Sequence, residues 1–147
     1  MDATTIKCRD LMVGDWCCDK HGLFPMQITN VGDDYAYATF EGNEGDPWEF
    51  DNKDDQPQPI PLTDAFFKDN GWKVNDCSFD IKEYAFVKDV GRHHLNWRQG
   101  VLCIWFNYDE RNGFKHTDTV ITVKYVHQLQ QALRLAGMTD MANNFKV

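Results

Sequence analysis

The stretch Pro59-Ile60-Pro61-Leu62-Thr63-Asp64-Ala65-Phe66-Phe67-Lys68-Asp69-Asn70-Gly71-Trp72 carries both ends of a short helix. Thr63 is a good N-cap, because its hydroxyl can accept a bond from an orphan amide of the first turn. Leu62 before the cap and Phe67 inside the helix fit a hydrophobic staple. Gly71 can adopt the left-handed conformation that ends a helix, which lets Trp72 fold back onto Phe66 or Phe67. Pro59 and Pro61 forbid helix just upstream, since each lacks an N–H and pushes its predecessor to extended geometry. Both flanks of this element read as strands, so a helix over 63–70 divides two β-rich segments.

Upstream, a Gly14-Asp15 turn precedes a strand opening at Trp16, and Asp19-Lys20-His21-Gly22 turns the chain. Met26–Val31 alternates apolar and polar residues, the period of a half-buried strand. Gly32-Asp33-Asp34 turns again into Tyr35–Phe40. Short strands at this spacing suggest a strongly bent antiparallel sheet or an SH3-like barrel. A short edge strand is expected around 47–50, inside an otherwise irregular acidic loop spanning 41–58.

Downstream, Ser78–Ile81 and Tyr84–Val87 alternate in opposite phases, implying a bulge or turn at Lys82-Glu83. Val101–Tyr108 is apolar on both faces, as in a covered strand. Asp109–Gly113 reads as a hairpin loop, followed by a strand through 119–123. Val126, Leu129, Leu133 and Ala136 repeat at helical spacing and form one apolar stripe, with Gly137 as the stop. The last ten residues are mostly polar and are expected to fray. The resulting expectation is an α+β fold. A small N-terminal antiparallel sheet leads to a short helix, then to a second antiparallel sheet with a C-terminal helix packed on it. Residues 1–147 are expected to form one domain, with sub-lobes 9–61 and 75–137 joined by the 63–70 helix.

A length of 147 residues with 42% hydrophobic and 14% aromatic content is ample for a packed interior. No apolar run approaches the roughly 20 residues that span a bilayer, and no apolar signal core follows the start, so a cytoplasmic protein is expected. The net charge of −8 is uneven: residues 1–61 hold 13 acids and 4 bases, while the remainder is nearly neutral. Such a first half repels phosphate backbones and anionic lipid. The five cysteines, an odd number, argue for reduced thiols rather than a secreted disulfide framework.

Two clusters could carry chemistry. Cys17, Cys18 and His21, with Cys8 upstream, have spacing that a zinc ion could use; only one such knuckle is present, and one core cysteine, an outward neighbour and a turn histidine explain it better. Arg92, His93, His94, Trp97 and Arg98, with Arg111, Lys115 and His116 downstream, interleave aromatics and cations as single-stranded nucleic-acid binders do. A solvated hairpin with a half-buried tryptophan is the competing explanation. The carboxylates of 41–58 could attract calcium, but Lys53 occupies a ligand position and no glycine follows, so a solvated loop fits better. His127, beside the apolar stripe, reads as a structural histidine bonded through one ring nitrogen.

Leu11-Met12-Val13-Gly14-Asp15-Trp16, Pro59-Ile60-Pro61-Leu62-Thr63 with Asn70-Gly71-Trp72, and Lys124-Tyr125-Val126-His127-Gln128-Leu129-Gln130 together resemble a family of small uncharacterised proteins of gut bacteria and their prophages. The resemblance implies a mobile-element accessory protein and no catalytic residue or cofactor. The expectation is therefore a non-enzymatic interaction protein with an unidentified protein partner, no cofactor, no membrane association and little affinity for nucleic acid. Self-association stays open. Single-stranded nucleic-acid binding through 92–98 is the alternative, and a small metal-dependent enzyme is a more distant one.

Overall fold

The computed structural model describes residues 5–75, 85–106 and 116–147, with backbone alone for 75 and 116–119. The expectations on Cys77, the 78–84 phase slip, the 109–113 hairpin, Arg111 and Lys115 lie outside the described residues. The fold is α+β, built on two antiparallel sheets. Contacts divide the chain into one unit of residues 1–61 and 125–145 and a second of 62–124.

In the first unit, a 3-10 turn at Cys8–Asp10 leads into β1 (Trp16–Cys18), β2 (Pro25–Val31), β3 (Tyr35–Thr39) and β4 (Trp48–Asp51), hydrogen-bonded in that order. Alternation drives it: Met26 and Ile28 on β2, Ala36 and Ala38 on β3, and Phe50 on β4 all face one interior. A register shift between Ile28 and Asn30 bends β2. The sheet curls into a half-barrel, and beyond β4 the chain returns to β1, where Cys18 and Gln58 exchange backbone bonds of 2.8 and 2.9 Å. The strand expected at 47–50 is β4, displaced by one residue.

The terminal helix α2 (Val126–Leu135) belongs to this unit, whereas the sequence had placed it on the second sheet. Of its expected apolar stripe, Val126, Leu129 and Leu133 are buried with Ala132 beside them, while Ala136 is the half-buried C-cap. Its partner is set instead by polar groups. The side chain of Gln130, fully buried, accepts the Trp16 N–H at 2.8 Å and donates to the carbonyls of Gly14 and Ala142 at 2.8 and 2.9 Å. Gly14 has φ +94°, and a Cβ there would lie 2.7 Å from the Asn143 carboxamide oxygen, so this approach requires glycine. Gly137 ends α2, with the Met138 N–H reaching back to the Leu133 carbonyl. The tail does not fray: α3 (Thr139–Asn143) follows, Ala142 and Phe145 are buried, and the Phe145 carbonyl accepts the Trp16 indole N–H.

The second unit begins with α1 (Asp64–Asp69), and its ends match the sequence. Thr63 Oγ1 accepts the Phe66 N–H at 3.1 Å, Gly71 has φ +81°, and the Trp72 N–H donates to the Phe67 carbonyl at 2.9 Å. The sheet that follows runs β5 (Lys73–Asn75), β6 (Ala85–Val90), β7 (His93–Arg98), β8 (Val101–Phe106) and β9 (His116–Thr122), each beside the next. Two-residue turns join β6 to β7 and β7 to β8. Gly91 takes positive φ in the first, and Gln99 with Gly100 does so in the second. One face of this sheet carries Phe86, Leu95, Leu102 and Ile104, all buried. Phe67 of α1 lies on it, its ring stacked on Phe86 at 4.7 Å and 9°.

Candidate functional site

Strand alternation divides the 92–98 cluster. On β7, Leu95 and Trp97 face α1: the Trp97 ring lies 4.8 Å from Phe67, and its indole N–H donates to the Val123 carbonyl at 2.8 Å. His93 shares that parity and packs 5.0 Å from Phe106 on β8. His94, Asn96 and Arg98 point to the opposite face, while Arg92 sits in the β6–β7 turn. The predicted quintet is therefore not one surface, and Trp97 does not stand between the arginines.

The face holding His94 and Arg98 has a structure of its own. The His94 ring stacks on Trp105 at 5.1 Å and 5°, and its Nδ1 lies 2.6 Å from an Asp89 carboxylate oxygen. His94 and Trp105, with Asn96, Arg98, Gln99, Val101 and Cys103, line an open hollow of about 530 Å³. Asp89 holds the imidazole from one side and Trp105 from another, which fixes its orientation.

The cysteine and histidine group is also dispersed. Cys8 and Cys17 are buried in the apolar core of the first unit, Cys18 is engaged at the Gln58 bridge, and His21 stands exposed in the β1–β2 turn. Among the described residues, no set of three or more His, Cys, Asp or Glu side chains is placed to hold a metal ion. Burial, reinforced by Cys18, Asp15 and Cys8, pushes the Cys17 thiol far above its ordinary pKa. Cys103 is half-exposed. Iodoacetamide at mildly alkaline pH should therefore alkylate Cys103 at least about tenfold faster than Cys17, since the thiolate is the reactive form. Peptide mapping over time measures this, and equal rates would mean that β1 opens readily.

The acidic turns spend their carboxylates on the backbone. Asp51 Oδ1 accepts the N–H groups of Lys53, Asp54 and Asp55 at 2.8, 2.7 and 3.0 Å. The amides of Asp55, Lys53 and Asp54 hold its carboxyl below the usual pKa. Asp19 Oδ1 accepts those of Leu23 and Phe24, both at 2.7 Å. Burial opposes its ionisation, but the amides of Phe24, Leu23 and His21 outweigh that and lower its pKa. His127 is buried beside Tyr125, and its Nδ1 has no hydrogen-bond partner. Burial depresses its pKa, with Asp15 and Asp10 opposing.

A different surface gathers what the sequence left scattered. Phe24 and Phe40 continue the inward parity of β2 and β3 beyond the ends of those strands, and among the described residues no strand covers them. Their rings stack at 6.3 Å and 23°. Leu23, Phe24, Phe40 and Trp48 remain 67%, 57%, 36% and 41% exposed. Burial raises the pKa of the neighbouring Asp55 carboxyl, Lys20 and Trp48 oppose, and Asp51 and Asp19 add to the rise. Glu41, Glu44, Asp46 and Glu49 are exposed on the connection between Phe40 and Phe50. The sequence signal was present in the phase of Phe24 and Phe40, but it becomes a surface only with the β2–β3 register. Chemically the patch offers planar apolar contact inside a negative field.

No protein-family model matches this chain, and no curated protein or solved structure matches it either.

Proposed function

We propose that this chain is a non-enzymatic interaction protein that docks a protein partner on the aromatic patch of the half-barrel. The carrying observation is the stacked Phe24–Phe40 pair, left exposed, with exposed Leu23 next in sequence and exposed Trp48 on the neighbouring strand opposite Ala38. Contiguous apolar surface rimmed by charge marks recognition sites more often than chance exposure does, and aromatics are enriched among residues that dominate binding energy. The resemblance of the Leu11–Trp16, Pro59–Thr63 and Lys124–Gln130 motifs to small proteins of gut bacteria and their prophages fits an accessory role in a mobile element.

The test is affinity capture from a native host lysate, with nuclease treatment, comparing the wild-type chain with a Phe24→Ser/Trp48→Ser variant. A defined set of proteins retained by the wild type and lost from the variant is the expected result. Capture that survives the double substitution places the docking surface elsewhere. Capture abolished by nuclease alone would favour the nucleic-acid reading. In that case His94, Trp105 and Arg98 are the side chains to substitute, because Trp97 is committed to Phe67 and Val123.

A further inference from the structure

We propose that the occupant of the aromatic patch is an extended, cationic segment of a partner protein, one in which Lys or Arg alternates with apolar side chains. This rests on the interaction reading above and adds the partner's chemistry.

The charge around the patch is predominantly negative. Seven carboxylates lie within residues 41–58 against the single base Lys53. Glu41, Glu44, Asp46 and Glu49 are all exposed on the connection that carries Trp48. Asp51 and Asp19 are committed to their own turns yet keep their negative charge beside Asp55. The nearby Lys20 ammonium donates to the Asp54 carbonyl at 3.3 Å and offsets only part of that field. An anionic or neutral apolar partner would bury its side chains against this rim at a cost, whereas ammonium or guanidinium groups would be drawn to it. The indole of Trp48 and the two phenyl rings add faces over which a cation is attracted.

The extended form follows from the sheet. β4 is last in the order β1-β2-β3-β4; the Asp51 N–H donates to the Asp55 carbonyl at 3.0 Å, which leaves the main chain around Glu49 on its outer side as the edge open to a further strand. Such an edge accepts a further strand, and alternate side chains of that strand fall on alternate faces. With Trp48 and Phe50 facing inward and Glu49 outward, apolar side chains of an added strand would meet the aromatic end, and the alternating basic ones would meet Glu49 and the rim. A helix would present its side chains at the wrong period for that edge.

The probes are two short synthetic peptides with the same apolar residues in alternation, one with Arg and Lys between them and one with Glu. Each is titrated into the full chain and followed by calorimetry and backbone amide NMR. The cationic peptide should bind with at least about tenfold preference and shift the amides of 23–24, 40 and 48–51. Affinity should fall severalfold between about 50 and 500 mM NaCl as screening shortens. Phe24→Ser/Trp48→Ser should cut affinity at least about tenfold, and Glu41→Gln/Glu44→Gln/Asp46→Asn/Glu49→Gln should erase the preference for the basic peptide. These residues are on the surface, so unchanged melting temperatures serve as the folding control. Cationic binding that ignores the aromatic double substitution is charge attraction alone and overturns the proposal, as does equal or tighter binding of the Glu peptide. If neither peptide binds at millimolar concentration while host-protein capture still depends on Phe24 and Trp48, the cationic segment is wrong and the docking surface stands.

Discussion

Phe67→Ala should lower the stability of the second unit by about 3–5 kcal/mol, the usual range for a fully buried phenyl ring. The ring is 0% exposed. It touches four other aromatics: Phe86 at 4.7 Å, Trp97 at 4.8 Å, Trp72 at 5.0 Å and Phe66 at 5.5 Å. Two effects add. Truncation removes buried apolar area and leaves a void lined by rigid rings, which cannot collapse into it as flexible aliphatic chains would. It also strips α1 of its central anchor, and six residues are too few to hold a helix without packing. Phe67→Leu, which keeps much of the volume, should recover a large part of the loss. Urea unfolding followed by tryptophan fluorescence reads this directly, since Trp72 and Trp97 both border the ring. A loss below about 1 kcal/mol would mean that α1 is peripheral to the second unit.

That element was legible because its signals are local. Thr63, Gly71 and Trp72 act within one helix length of each other, and each does what its chemistry dictates. The strands of the first unit were legible for a similar reason, alternation at Met26–Val31 and Tyr35–Phe40. Strand β7 was harder. Its turns use Gly91-Arg92 and Gln99-Gly100, and glutamine is not a residue whose presence announces positive φ. Read as a hairpin, 92–98 looked like one cluster of cations and aromatics. As a strand, its own period of two sends His94 and Arg98 one way and Trp97 the other.

The placement of α2 could not be read at all, for the opposite reason. Its apolar stripe would suit either sheet. The choice is made by Gln130, Gln131 and Arg134, polar residues that a hydropathy pattern assigns to solvent, whose partners lie more than a hundred residues away in sequence. The aromatic patch shares this non-local character. Phe24 and Phe40 are adjacent only through the register between β2 and β3, and that register shifts at a bulge no local signal predicts.

The same network carries the second large effect. Asp15 is 0% exposed, and its carboxylate accepts the Met12 N–H at 2.8 Å, the Gln131 side-chain amide at 2.7 Å and the Arg134 guanidinium. Arg134, with a side chain only 8% exposed, also donates to Asn143 at 3.0 Å. Asp15→Ala should therefore cost about 3–5 kcal/mol, because it strands a buried guanidinium as well as two N–H donors. Arg134→Ala should cost less: the carboxylate it leaves behind keeps a main-chain and a side-chain donor. Combining the two removes the stranded cation along with the acid. The double variant should then be hardly worse than Asp15→Ala alone, giving a coupling of about 1–3 kcal/mol. It should not return to wild-type stability, since Met12 and Gln131 still lack their acceptor. Denaturant unfolding of the four proteins in the cycle measures each term. Strict additivity would show that the Asp15–Arg134 contact carries no net interaction energy, and that the helix is held by Gln130 and its apolar stripe alone.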